Sequence, residues 1–122
     1  MTIYLWINAV AYALFAIWCT VAPSATAAGI GYGLPTNSAK SEYITVYGGL
    51  EMALAIFFLL GALREDMRWP AFVFALCLYS SLVVFRLGTI VTLPGLSRTI
   101  YILFALEATL AVIGWVLFLR RA

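Results

Sequence analysis

Glu51, Arg86 and Glu107 each lie inside a run of residues that is otherwise apolar and long enough to cross a bilayer. A charge at membrane depth is costly. It is kept where it faces a bundle interior, meets an opposite charge or lines a wet cavity, and it marks function by default. Two carboxylates and one guanidinium can hold a cation or small polar ligand, pass protons, or pin helices in register. Each of these requires the three residues to lie close together, so the elements that carry them decide the matter.

The chain has 122 residues, of which 66% are hydrophobic and only 10% charged. A soluble domain this short could not hide so much apolar surface, whereas lipid can solvate it. The expected class is an all-α integral membrane protein whose immediate partner is the lipid bilayer. A net charge of +2, with no basic patch carrying interleaved aromatics, excludes a nucleic-acid partner. The chain has no His, which removes the commonest transition-metal ligand and the commonest general base. No nucleophile–base pair is visible, so the expectation is a protein that is not an enzyme. Cys19 and Cys77 form no CxxC pair and fall at different depths, so both read as free, small, buried hydrophobes. Ala25-Thr26-Ala27 resembles a signal-peptide cleavage site, but the segment before it lacks the required positive charges. The first apolar run therefore reads as a retained helix.

Four apolar runs cover residues 3–21, 43–63, 69–93 and 99–119, each close to the ~20 residues a helix needs to cross the hydrocarbon. They are continuous rather than alternating, which favours helices over strands. Short connections predict an up-down four-helix bundle forming a single membrane domain over residues 1–122. Arg64-Glu65-Asp66-Met67-Arg68 reads as a charged hairpin, with Pro70 in the first turn of the next helix. Pro94-Gly95 breaks the chain before the last span, and Ser97 is its expected N-cap. Residues 22–42 form a long outer loop with Pro23 and Pro35 that keeps Ile30, Tyr32 and Leu34. A short helix after Pro23 and a fold back over the bundle mouth or along the membrane surface are expected; a plain linker is the alternative. Arg64, Arg68, Arg120 and Arg121 fall on one side with both termini, Lys40 and Arg98 on the other. The first side is expected to be cytoplasmic.

In this topology the three charges share one layer. Glu51 lies about eight residues into the second helix, Arg86 six or seven before the end of the third, and Glu107 about eight into the fourth, which at ~1.5 Å per residue places each roughly 9–12 Å below the outer surface. Glu51 lies on a small-residue stripe with Gly48, Ala55 and Ala62, and Glu107 shares a face with Ala111 and Gly114. Small residues let helix backbones approach closely in lipid, so these faces point inward. Tyr47, one turn outward of Glu51, and Tyr79, two turns inward of Arg86, could add hydroxyls.

Unit charges ~4 Å apart interact by about 4 kcal/mol at an effective dielectric near 20, so one ion pair is well satisfied and one carboxylate is left over. Three resolutions are open. The spare carboxyl holds a proton, Arg98 reaches in from the outer mouth on its long stem, or a cation binds between Glu51 and Glu107. Carboxylates and hydroxyls suit a hard divalent cation such as Ca²⁺ or Mg²⁺, with Glu51 and Glu107 as the candidate metal ligands. The alternative is a Glu–Arg–Glu network that only fixes helix order.

The string Glu42-Tyr43-Ile44-Thr45-Val46-Tyr47-Gly48-Gly49-Leu50-Glu51, followed by Arg86-Leu87-Gly88 and then Glu107, with Pro23 closing the first run, resembles the AciT-like group. That group comprises small four-helix bacterial inner-membrane proteins of unknown function. The resemblance implies a role in cell-envelope homeostasis, location in the inner membrane, and a candidate homodimer. Where the group carries Asp-Gly in its last outer loop, this chain has Pro94-Gly95. Small multidrug exporters fit less well, because their essential Glu lies in the first helix and this one has none. The expected function is support of the envelope through a polar site of Glu51, Arg86, Glu107, Tyr47, Tyr79 and Arg98. A proton- or cation-coupled transporter and a purely structural subunit are the alternatives.

Overall fold

The computed structural model describes residues 1–121, and every regular element among them is helical. In chain order these are α1 (Thr2–Val21), α2 (Pro23–Gly29), α3 (Asn37–Tyr43), a π-helical stretch (Ile44–Leu50), α4 (Glu51–Leu63), α5 (Glu65–Thr92) and α6 (Arg98–Arg121). The α3, π and α4 segments run on as one rod. Among the described residues four helices are long and apolar enough to cross a membrane: Thr2–Val21, Asn37–Leu63, Glu65–Thr92 and Arg98–Arg121. That is the pattern of a multi-pass membrane protein.

The long outer loop expected at residues 22–42 is largely helical. Pro23 opens α2 at its first position, where its missing N–H costs nothing. The second span begins at Asn37 rather than near residue 43, because the Thr36 hydroxyl accepts the backbone N–H of Ala39 at 3.1 Å and caps the helix early. At the charged hairpin, helix takes over almost everything. Only Arg64 lies between α4 and α5, in extended conformation, and its guanidinium bonds Asp66 at 3.2 and 3.0 Å. Glu65 and Asp66 fall in the first turn of α5, where the helix dipole favours negative charge. Pro70 is consequently an interior residue of α5, not a first-turn one. Ser97 stands at the expected N-cap position, immediately before α6; its hydroxyl donates to the Gly29 carbonyl at 3.4 Å and ties the end of α2 to the start of α6.

The spans pack in sequence, α1 on α4, α4 on α5 and α5 on α6. Leu5, Phe58, Phe72 and Ala75 are fully enclosed at the centre. At one end the Tyr4 hydroxyl donates to the Leu110 carbonyl at 2.9 Å, Leu5 and Ala71 abut Gly61, and the Arg121 guanidinium lies 4.4 Å over the Trp69 ring. At the other, Thr20 faces Gly48 and Ser97 meets Gly29. The small-residue stripes do lie inside: Gly48, Ala55, Ala62, Ala111 and Gly114 are all buried. Three glycines, Gly48, Gly61 and Gly114, sit at close approaches, Gly61 against the Ala71 methyl. A Cβ on Gly48 would sit 2.5 Å from Thr20 Oγ1, and one on Gly114 would sit 2.9 Å from both Leu76 Cδ2 and Tyr4 Oη. The outward surface is apolar, with Ile3, Val84, Phe85, Val91 and Leu119 strongly exposed. Cys19 is buried as expected, but Cys77 is exposed on the outer side of α5; both are free.

Candidate ligand cavity

The three ionisable residues meet at one cavity of about 310 Å³. Its walls come from α1, the π-helical segment and the start of α4, α5 and α6. Ala25, Thr26, Gly29, Ile30 and Tyr32, from α2 and the turn after it, also line it. The segment 22–42 therefore folds over the mouth rather than serving as a plain linker.

Arg86 and Glu107 form a two-pronged ion pair. Arg86 Nε donates to Glu107 Oε2 at 2.8 Å and Nη2 donates to Oε1 at 2.6 Å. This fork-to-fork geometry is the strongest arrangement available to a carboxylate. The side chains keep 22% and 13% of their surface exposed, so the pair borders the cavity without being sealed in protein. Both oxygens of Glu107 are engaged.

Glu51 is the carboxylate left over. It lines the same cavity, and its Oε2 is buried with no hydrogen-bond partner among the described residues. A buried acceptor without a donor costs about 1–3 kcal/mol, and more if charged. Arg98 does not resolve the surplus: it is absent from the cavity wall, where its neighbour Thr99 stands, and it forms no ion pair among the described residues. A metal centre is also poorly supplied. Among the described residues no three of His, Cys, Asp or Glu come together, and Arg86 already claims one of the two carboxylates.

Local structure explains how Glu51 is presented. Tyr43, Tyr47 and Glu51 recur every four residues and all line the cavity. The wider π-helical turn joins them, and such turns are frequent at functional sites. The rings of Tyr43 and Tyr47 stack at 4.5 Å, and Tyr32 from the covering segment stands nearly perpendicular to both at 6.4 and 6.3 Å. The Tyr43 hydroxyl donates to Thr26 Oγ1 at 3.0 Å, fastening α2 down.

Tyr47 thus takes the expected place, but Tyr79 does not. Its side chain is buried in the core, where its hydroxyl donates to Asn8 Oδ1, while Asn8 Nδ2 donates to the Tyr4 carbonyl at 2.7 Å. The reason is the register of α5, which turns Tyr79 toward α1 instead of the cavity. Asn8, fully buried, was not anticipated; its spacing of four residues from Tyr4 and from Tyr12 marks a polar stripe on the first span that could have revealed it. Tyr32, Tyr43 and Thr26 were likewise missed as wall residues.

Residues 1–118 match the family described as a domain of unknown function, DUF4345. Searches of the curated proteins and of the solved structures return no match.

Proposed function

For a chain that belongs to the DUF4345 family, we propose a role as a small multi-pass membrane protein whose cavity holds a small polar or cationic ligand against Glu51. The observation that carries this reading is the contrast between the two carboxylates. Glu107 is fully neutralised by Arg86, whereas Glu51 faces the same cavity with a buried oxygen that nothing in the described chain satisfies. Protein interiors rarely leave such a group unpaired without a use for it. The pair Arg86–Glu107 holds α5 and α6 together at the cavity, and Glu51 is the acceptor. The covering α2 segment lies on the side we assign to the outer face. The proposed arrangement is an up-down four-span bundle in a bacterial inner membrane, with Arg64, Arg68, Arg120 and Arg121 on the cytoplasmic side. Together with the AciT-like resemblance, this supports a contribution to envelope homeostasis.

Thermal unfolding of the purified protein in detergent, with and without Mg²⁺, Ca²⁺ and small organic cations and polar solutes, tests the reading. A ligand that binds only the folded state raises its stability. Stabilisation by at least one of these, absent in Glu51→Gln, is expected. No stabilisation by any of them would leave only a framework role for the three charges.

A second reading, proton- or cation-coupled transport, is favoured by the buried polar run of Tyr79, Asn8 and Tyr4, which continues inward from the level of the cavity. In proteoliposomes it requires a pH-dependent flux that disappears in Glu51→Gln, the carboxyl that no residue of the described chain pairs.

A further inference from the structure

We infer that the ligand of this cavity is an organic ammonium group, held by the Glu51 carboxylate within an aromatic wall of Tyr32, Tyr43 and Tyr47. The inference rests on the reading of the cavity as a ligand site and narrows the chemistry of what enters it. A small metal ion needs six or more oxygen donors, or at least a closed set of strong ones. The cavity offers one free carboxylate, and the second is locked to Arg86 through both oxygens. An ammonium group needs much less: one counter-charge and aromatic faces to replace its water.

Three tyrosines, Tyr32, Tyr43 and Tyr47, line the wall beside Glu51. Tyr43 and Tyr47 stack on one another, and Tyr32 closes on them at nearly a right angle from the covering segment. Trp18 of α1 lines the cavity as well. Of the ionisable side chains on the wall, Glu51 has the buried oxygen without a partner, so the net charge of the site is set there. A volume of about 310 Å³ accommodates a small alkylammonium with a short substituent, at the lower end of the range for small-molecule sites. The ammonium belongs either to a free amine or to a lipid headgroup such as phosphatidylethanolamine.

The test uses the full chain in a maltoside detergent, which carries no ammonium group. Tetramethylammonium and ethylammonium chloride are titrated against potassium chloride of equal ionic strength, and unfolding temperature and tryptophan fluorescence are followed. In parallel, the protein is placed in nanodiscs of phosphatidylglycerol with and without phosphatidylethanolamine. Saturable stabilisation by the ammonium salts over potassium is expected, with loss of detectable binding in Glu51→Gln. Tyr32→Leu and Tyr47→Leu should each weaken binding about tenfold, and Tyr47→Phe, which keeps the ring, should retain it. Tyr32 is half-exposed, so its variant remains informative if a substitution at Tyr47 impairs folding. Glu51-dependent stabilisation by phosphatidylethanolamine alone supports the same chemistry and assigns it to the headgroup. Stabilisation by Mg²⁺ or Ca²⁺ without any ammonium effect would overturn the inference while leaving the cavity a ligand site. No response to any salt or lipid would remove both. Ammonium binding that persists in Glu51→Gln, or that falls as far in Tyr47→Phe as in Tyr47→Leu, would also overturn it.

Discussion

Arg86 holds Glu107 through both carboxylate oxygens, at 2.8 and 2.6 Å, on the wall of the cavity that Glu51 shares without a partner. One pair is therefore framework and one carboxylate is left over, and the two glutamates should respond oppositely to substitution. For the framework pair, Glu107→Gln or Arg86→Met alone should cost about 2–4 kcal/mol, because each leaves a charge without its counterpart. The double variant should recover part of that loss. A double-mutant cycle on unfolding in mixed detergent gives the coupling; a coupling near zero would show that the pair contributes no register.

Gly48 makes a second, independent prediction about the wall. An added methyl would lie 2.5 Å from Thr20 Oγ1, where α1 and the π-helical segment come closest. Gly48→Ala should destabilise by about 1–3 kcal/mol through overpacking. Combined with Thr20→Ala, the clash is removed, and the helix-forming advantage of Ala over Gly, about 1 kcal/mol, should emerge as a gain. Unfolding temperatures of the two variants give the sign. If the double variant is no better than the single one, the close approach is not what requires glycine here.

Tyr79 and Asn8 form a buried pair outside the cavity wall. Tyr79→Phe should therefore cost about 1–2 kcal/mol of stability by leaving the Asn8 amide oxygen without its donor, while leaving ligand affinity unchanged. Titration of the stabilising ligand against this variant checks both halves. Lost affinity at full stability would return Tyr79 to the site.

Orientation is tested at the two ends. In a background of Cys19→Ala and Cys77→Ala, Ser38→Cys and Glu65→Cys each introduce an exposed thiol, one beside the cavity mouth and one at the opposite turn. A membrane-impermeant maleimide applied to intact cells with a permeabilised outer membrane should label Ser38→Cys and spare Glu65→Cys until the inner membrane is broken. The reverse pattern would invert the proposed topology.

Much of this was legible in the sequence for physical reasons that act locally. Apolar runs of bilayer length give the four spans, and small-residue stripes around Glu51 and Glu107 identify their inward faces. Counting helical rise from the apolar runs put Glu51, Arg86 and Glu107 in one layer, and they do share a cavity, although the second helix starts at Asn37, earlier than that count assumed. Details that depend on side-chain direction were not legible. Tyr79 lies on the same span as Arg86, but its register directs it to Asn8 instead of the cavity. Arg98 was one of three candidates to neutralise the surplus carboxylate, yet the wall there is Thr99. The short helix after Pro23 was legible, whereas the start of the second span at Asn37 depended on the cap at Thr36, and the fastening of α2 on the Tyr43–Thr26 hydrogen bond, a contact between segments that no local pattern announces. Cys77 faces outward, where lipid tolerates a thiol as readily as a core does.

The central claim is that Glu51 serves a ligand and not the fold, and the stability of one variant tests it most directly. Glu51→Met replaces the carboxylate with an apolar chain of similar length and removes a buried acceptor that nothing satisfies. In the absence of ligand, its unfolding free energy in detergent should rise by about 1–3 kcal/mol, the cost of the unpaired group, in keeping with the trade of stability for function at binding sites. A fall in stability comparable to that of Glu107→Gln would contradict the account and make Glu51 part of the framework.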